Sequence, residues 1–415
     1  MSMPAVLARP QRSLAVDSVA LIVTSALSAA TGIAFWTLAA RLIPPHQLGV
    51  ETALLSLMTT AGAVAASGPG NAITAMIPAA GAAGRRSQLC GAVAVVGVGT
   101  LLTGTVAGIV GVLTVGGGHG PTAVLIVGGA VILGFFAFKD TVLSAARRLP
   151  LLNLGVSVIK AAALPVAVWW AVPSSAVTVS LVAAVLAVGL VWWMVPPLIG
   201  RHLPPTELTR EHNRAALLAF SLRDGTASLV SMGSLLAAPF LTTWLAGPVQ
   251  GAMLALMLPI AQGLDFVSTG AAMALTKHLP TTPEPTRTIR RVWWLSQAAV
   301  IVVALGLSLV LAPLLFGLFG DGYDHETLWV TLAVLCLGSV LRVTFVIWAA
   351  VLRASLATRT LLVTNVAASA VTVPVLVGCI LAWGAVGVAA GACFGSLVLG
   401  IAGLIGLVRG MRSGA

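Results

Sequence analysis

Charge is scarce in this sequence. Only 8% of its 415 residues are Asp, Glu, Lys or Arg, against about 25% in soluble domains. With 59% of residues apolar and a mean hydropathy of +1.06, a soluble globular chain is excluded. No lysine follows a glycine, so there is no G-K-[ST] loop to cradle phosphates and no P-loop hydrolysis of ATP. The four cysteines, Cys90, Cys336, Cys379 and Cys393, stand in apolar runs without C-x-x-C spacing, and the six histidines include no H-x-x-x-H pair. They read as small buried hydrophobes and connecting-segment residues rather than as disulfide or zinc ligands. No metal and no cofactor is expected.

What the sequence has instead is long apolar runs broken by 44 glycines and 22 prolines, residues that membrane helices tolerate. At about 20 apolar residues per crossing, spans fall near 16 to 40, 48 to 68, 88 to 115, 121 to 141, 153 to 171, 176 to 199, 214 to 244, 248 to 275, 291 to 319, 327 to 352, 360 to 383 and 385 to 408. Twelve crossings result. The first is too long for the apolar region of a signal peptide.

The net charge of +11 suggests nucleic acid only until its placement is considered. Of the 22 Lys and Arg, three (Lys160, Arg223 and Arg342) lie inside predicted spans, Arg41 alone falls on one side, and the other eighteen flank the opposite side. That segregation is the positive-inside pattern, so no nucleic-acid partner is expected and both termini are placed in the cytoplasm. Tryptophans near predicted span ends, Trp36, Trp244, Trp329 and Trp383 outside and Trp192, Trp193, Trp293, Trp294 and Trp348 inside, read as interfacial anchors.

Sliding the halves by just over 200 residues aligns Asp17 with Asp224, Gly49 with Gly251, Gly68 with Gly270 and Pro78 with Pro280. GPGNAITAMIP and GAAMALTKHLP then share a G-x9-P frame. Six crossings per half is an even number, so the repeats are parallel, related by an axis along the membrane normal. The expected architecture is an all-α membrane protein with a six-helix lobe at 1–200, a cytoplasmic linker at 201–213 and a second six-helix lobe at 214–415 around a central cavity.

Lys139, Asp140, Lys160, Arg223, Asp224, Asp265 and Arg342 lie within spans or at their inner ends. Facing all seven to lipid would cost on the order of 20 kcal/mol, so they must pair, snorkel or line water. Snorkelling suits Lys139 and Asp140. A cavity-facing role suits Lys160, Arg223, Asp265 and Arg342, and three structural ion pairs, such as Arg223 with Asp265, are the bland alternative. Asp224, Ser228 and Ser231 fall on one helical face, as do Asp17, Thr24, Ser28 and Thr31, while Gln262, Asp265 and Ser268 or Thr269 form a third stripe. Such hydroxyls also serve as ordinary packing glue. Deep cations suit phosphate or pyrophosphate, which accepts charge-assisted hydrogen bonds.

The segment WTLAARLIPPHQLG (Trp36 to Gly49) resembles the turn between the first two helices of the polysaccharide and lipid-linked oligosaccharide flippases, and GPGNAITAMIP resembles the end of their second helix. The resemblance implies membership of the multidrug, oligosaccharidyl-lipid and polysaccharide exporter superfamily, whose two lobes alternate between inward and outward openings. Many of those relatives carry an arginine near Ala75 or Met76; here only Lys277, in the second half, offers a cation at that place. The implied activity is translocation of a polyprenyl-pyrophosphate-linked glycan from inner to outer leaflet, a transport role in cell-envelope polysaccharide biosynthesis and not an enzymatic one. Envelope glycan-assembly enzymes and the lipid bilayer are the partners that follow. Arg223, Lys160, Arg342 and Asp265 are the substrate-binding candidates, with Asp17 and Asp224 as gating or coupling residues at the cytoplasmic mouth.

Rivals remain from other classes. A cation-coupled multidrug exporter of the same superfamily would use carboxylates such as Asp17, Asp224 or Asp265. A major-facilitator transporter would need a G-x-x-x-D-R-x-G-R-R turn, and AAGAAGRRSQ (Ala79 to Gln88) has no carboxylate. A polyprenyl-phosphate-dependent glycosyltransferase would want acidic residues outside, where only Asp321, Asp324 and Glu326 stand.

Overall fold

A backbone in hydrocarbon has no water to bond, so an apolar run of this length satisfies its amides only by coiling on itself. The computed structural model describes residues 30–76, 82–115, 119–145, 152–172, 174–201, 214–279, 284–320, 322–355 and 357–412, and among them no strand occurs. The helices are α1 (30–42), α2 (Pro45–Met76), α3 (Ala82–Val115), α4 (His119–Ala145), α5 (Leu152–Trp169), α6 (Ser175–Arg201), α7 (Arg214–Leu236), α8 (Ala238–Ala246), α9 (Pro248–His278), α10 (Pro285–Gly306), α11 (Ala312–Phe319), α12 (His325–Ala354) and α13 (Thr358–Arg412).

Eight described stretches are long and apolar enough to cross a membrane. One of them, inside α13, holds two crossings, because Gly384 (φ 56°, ψ −124°) breaks the helix. Its arms fold back on each other: Gly387 meets the Cys379 carbonyl, Gly391 meets Leu376 and Gly395 meets Thr372. Among the described residues, α1, which covers only 30–42 of the first expected span, the shorter α5 and the broken α7–α8 pair stand at the three remaining predicted spans.

Two predicted spans are interrupted. The span expected at 214 to 244 stops at Leu236 and restarts at Ala238, with Pro239 in the first turn of α8. Proline has no N–H and its ring crowds the carbonyl one turn back, so it begins a helix more readily than it continues one. The span expected at 291 to 319 loosens into a π-turn at Leu307–Leu311 just before Pro313. A widened turn accommodates the bond that proline cannot make.

The helices form two six-crossing lobes. In the first, α2 runs beside α4 with Gly62 against Gly134, and α3 packs on α4. In the second, α12 is central and packs against α9, α10 and α13. The lobes meet along α2, which lies against α7, α8 and α9. Phe35 and Ala39 of α1 join Met253, Met257 and Leu264 of α9 in one buried cluster that spans both lobes. Apart from Arg201, the expected linker lies outside the described residues.

Candidate functional site

The seam begins with a close approach. A side chain on Gly68 of α2 would collide with the Ser221 carbonyl of α7, so only glycine lets these backbones touch. One turn further in, the Asn71 amide donates to the Asp224 carboxylate at 2.5 Å, and Asp224 is only 4% exposed. At the opposite end of α2, Gly49 packs on the Pro248 carbonyl that opens α9, and the Thr243 hydroxyl donates to the Gly49 carbonyl at 3.2 Å. Midway, the Ser56 hydroxyl donates to the Leu236 carbonyl at 2.6 Å. Helix α2 therefore touches the second lobe at both ends.

Two of the deep cations lie on helices of this region. The Lys160 Nζ of α5 stands 4.6 Å from the centre of the Phe35 ring of α1, a cation–π contact beside the cluster shared by the lobes. Arg223, next to Asp224 on α7, is exposed. Neither forms an ion pair among the described residues.

Arg342 and Asp265 are elsewhere. They face each other at 3.8 Å inside the second lobe, in a cavity of about 30 Å³ lined also by Gln262, Ser339, Cys393 and Ser396. A space of that size holds a water molecule, and the Arg342 Nε has no hydrogen-bond partner among the described residues. The bland pairing expected for Arg223 belongs to Arg342. The stripe through Gln262 and Asp265 does face a polar space, while Ser268 is buried and donates to the Asp265 carbonyl at 3.0 Å.

Other expectations are corrected. Lys139 does not snorkel: it is fully buried, 2.7 Å from Asp140 and 3.8 Å from the centre of the Phe136 ring. Pairing and the ring face compensate for its lost hydration. Trp348 is core, buried against Gly406, and Trp192 packs between Phe135 and Phe138. Asp17, Thr24 and Ser28 lie outside the described residues, as do the side chains of Lys277, Ser228 and Ser231. Among the described residues no group of His, Cys, Asp and Glu is placed to hold a metal.

Sequence reasoning missed Glu51. It is 2% exposed on α2, its Oε1 accepting from the Gln47 amide at 2.9 Å and its Oε2 from the Ala176 N–H of α6 at 2.8 Å. A span drawn from residue 48 put this acid at a helix end, where charge is unremarkable. Outside the spans, burial pushes the Tyr323 hydroxyl up to about 12. Hydrogen bonds from the Thr327 hydroxyl and then the Thr327 and Glu326 amides hold the Asp324 carboxyl below its ordinary value.

No protein-family model matches the chain, and no curated protein does either. Solved structures do. The chain resembles the lipid II flippase MurJ in an inward closed conformation, with a TM-score of 0.67 over 96% of this chain and 87% of that one at 12% identity. It resembles an inward-facing multidrug resistance MATE family transporter of the MOP superfamily, with a TM-score of 0.61 over 95% and 98% at 14% identity. A MOP superfamily transporter from Pyrococcus furiosus, described by the reverse polarity of its binding pocket, gives a TM-score of 0.53 over 96% of each chain at 15% identity. At these identities the likeness establishes the fold alone: a multi-pass, all-α membrane protein with the two-lobed fold of these solved transporters.

Proposed function

We propose that this chain is a transporter that carries a lipid-linked oligosaccharide or polysaccharide precursor from the inner to the outer leaflet of a bacterial plasma membrane by alternating access, with both termini cytoplasmic. The observation that supports this most is the sign of the uncommitted charge. Among the described residues, Lys160 and Arg223 stand without acidic partners on helices of the seam region. Of the carboxylates described within the spans, Asp224 is committed to Asn71, Glu51 to Gln47 and Ala176, and Asp265 to Arg342. A site with cations to spare favours an anionic head group such as a pyrophosphate. An exporter of organic cations would want the reverse.

In this reading Arg223 takes the phosphate first, being exposed on α7, and Lys160 supplies a second charge. Outward movement of the anion is favoured by an inside-negative potential by about 2.3 kcal/mol per charge per 100 mV. The test is flipping of a fluorescent lipid-linked sugar in reconstituted vesicles. Arg223→Gln keeps hydrogen bonding without charge and is expected to slow flipping by about tenfold or more, since a charged hydrogen bond is worth about 1.5 to 3 kcal/mol. Arg223→Lys, which loses only the bidentate fork, is expected to be milder. Unchanged flipping by a normally expressed Arg223→Gln protein overturns the assignment, and proton-driven efflux of cationic dyes in place of flipping would support the exporter instead.

A further inference from the structure

The two lobes carry the same tie between helices at their outer ends, built with different chemistry. In the first lobe Glu51 of α2 accepts the N–H of Ala176, in the first turn of α6. In the second, Gln250 of α9 accepts the N–H of Ala385, in the first turn after the Gly384 break of α13, at 3.0 Å. Each joins the helix that faces the other lobe to the last crossing of its own lobe. Only the first contains a group that can gain a proton.

We propose that Glu51 is a proton-binding site at the outer end of the first lobe, whose occupancy sets how firmly α6 is tied to α2. The hydrogen bonds define what a proton would meet. Both carboxylate oxygens already face donors, the Gln47 amide on Oε1 and the Ala176 N–H on Oε2. A backbone N–H cannot become an acceptor, but a glutamine amide turns to present its oxygen. The proton therefore goes to Oε1 with Gln47 reversed, and Oε2 is left as a neutral carbonyl oxygen under Ala176. The tie persists without its charge, as it does at Gln250. What is lost is the stronger, charge-assisted bond and the attraction of a carboxylate to a helix N-terminus.

Among the described residues that carboxylate forms no ion pair. In their outer halves α3, α5, α6, α7, α8 and α9 carry no ionisable residue, and α4 contributes only its first residue, His119. On α1, Arg41 reaches the Gly317 carbonyl at 3.5 Å, while His46 of α2 is exposed. The segment Gly322 to Asp324, whose Gly322 approaches Pro45, brings Tyr323 and Asp324, with His325 and Glu326 following. Glu51 is thus held by two hydrogen bonds at a helix end.

The test reads the two ties in one molecule and needs no substrate, so its failure leaves the transport reading standing. Amide hydrogen exchange of the full-length protein in nanodiscs is followed from neutral to acid pH, and protection of the Ala176 segment is taken relative to that of the Ala385 segment. The intrinsic pH dependence of exchange cancels in the ratio. In the wild type the ratio is expected to fall by about fivefold as the charged bond becomes a neutral one. In Glu51→Gln, which imitates the protonated form, it is expected to be low and flat. Gln250→Glu should give the Ala385 segment a pH dependence of its own, and this variant carries the test if Glu51→Gln does not fold. A wild-type ratio that does not move with pH, or one that moves equally in Glu51→Gln, overturns the proposal.

Discussion

Asp224 shows what a single residue reveals in sequence and what it hides. A carboxylate ten residues into a span is conspicuous, and its match with Asp17 followed from the repeat. Its partner did not, because Asn71 is an uncharged residue in a glycine-rich segment whose significance depends on a helix 153 positions away. Glu51 and Arg342 teach the same lesson: burial and pairing are set by neighbours that no local pattern announces. Removing the acceptor leaves the half-buried Asn71 amide without its partner, at a cost below the about 1 to 3 kcal/mol of a fully buried donor, borne only while this end of the seam is closed. Asp224→Ala is therefore expected to open that end. With Ser221→Cys as reporter, a water-soluble thiol reagent added from the inner side should react several times faster in the Asp224→Ala background, and Asp224→Asn should stay near the wild type. Equal rates in all three would show that the bond does not hold the seam.

At the level of elements, period and composition carried most of the fold, because lipid leaves an apolar run no choice but a helix. The break between the last two spans was legible at residue 384, and the structure turns there at Gly384. The breaks at Ala237 and Leu307–Leu311 were not, although Pro239 and Pro313 stood in plain view, since membrane helices often carry proline without interruption. At Gly384 the conformation (φ 56°) is one that residues with a Cβ rarely adopt, and a Cβ would also lie 2.6 Å from the Gln250 Oε1. Strain of about 1 to 3 kcal/mol predicts that Gly384→Ala lowers the thermal midpoint in detergent and loosens exchange at the Ala385 amide. The start of α12 gives a pH-dependent counterpart. Asp324 caps that helix by accepting from the Glu326 and Thr327 amides at 3.3 Å and from the Thr327 hydroxyl. Since these bonds depress its folded-state value, the contribution is present above the ordinary aspartate range and lost as pH falls below that range through the depressed folded-state value. Acid should therefore raise exchange in the first turn of α12, and Asp324→Ala should abolish that dependence.

For the whole molecule, the consequential feature is that one helix touches the opposite lobe at both ends. Under the proposed alternating access and the proposed orientation, these contacts part in turn, the outer set around Gly49 and Pro248 and the inner set around Gly68, Ser221 and the Asn71–Asp224 bond. Glycine makes both contacts possible, and in each case a methyl group would fall on a backbone carbonyl rather than on a side chain able to swing aside. Neither carbonyl belongs to a free end: Pro248 opens α9 and Ser221 is inside α7. The strain is relieved only by moving the lobes apart at that end. Gly49→Ala is therefore expected to favour an outer opening and Gly68→Ala an inner one, two shifts of opposite sense from the same chemical change. Spin-label distances between the outer tips of α2 and α9, and between the inner ends of α2 and α7, distinguish them. Gly49→Ala should lengthen the first distance and leave the second, and Gly68→Ala should do the reverse, each slowing transport by trapping one opening. If either substitution lengthened both distances alike, the lobes would be separating as a whole, and rocking about α2 would be the wrong description of how this molecule moves.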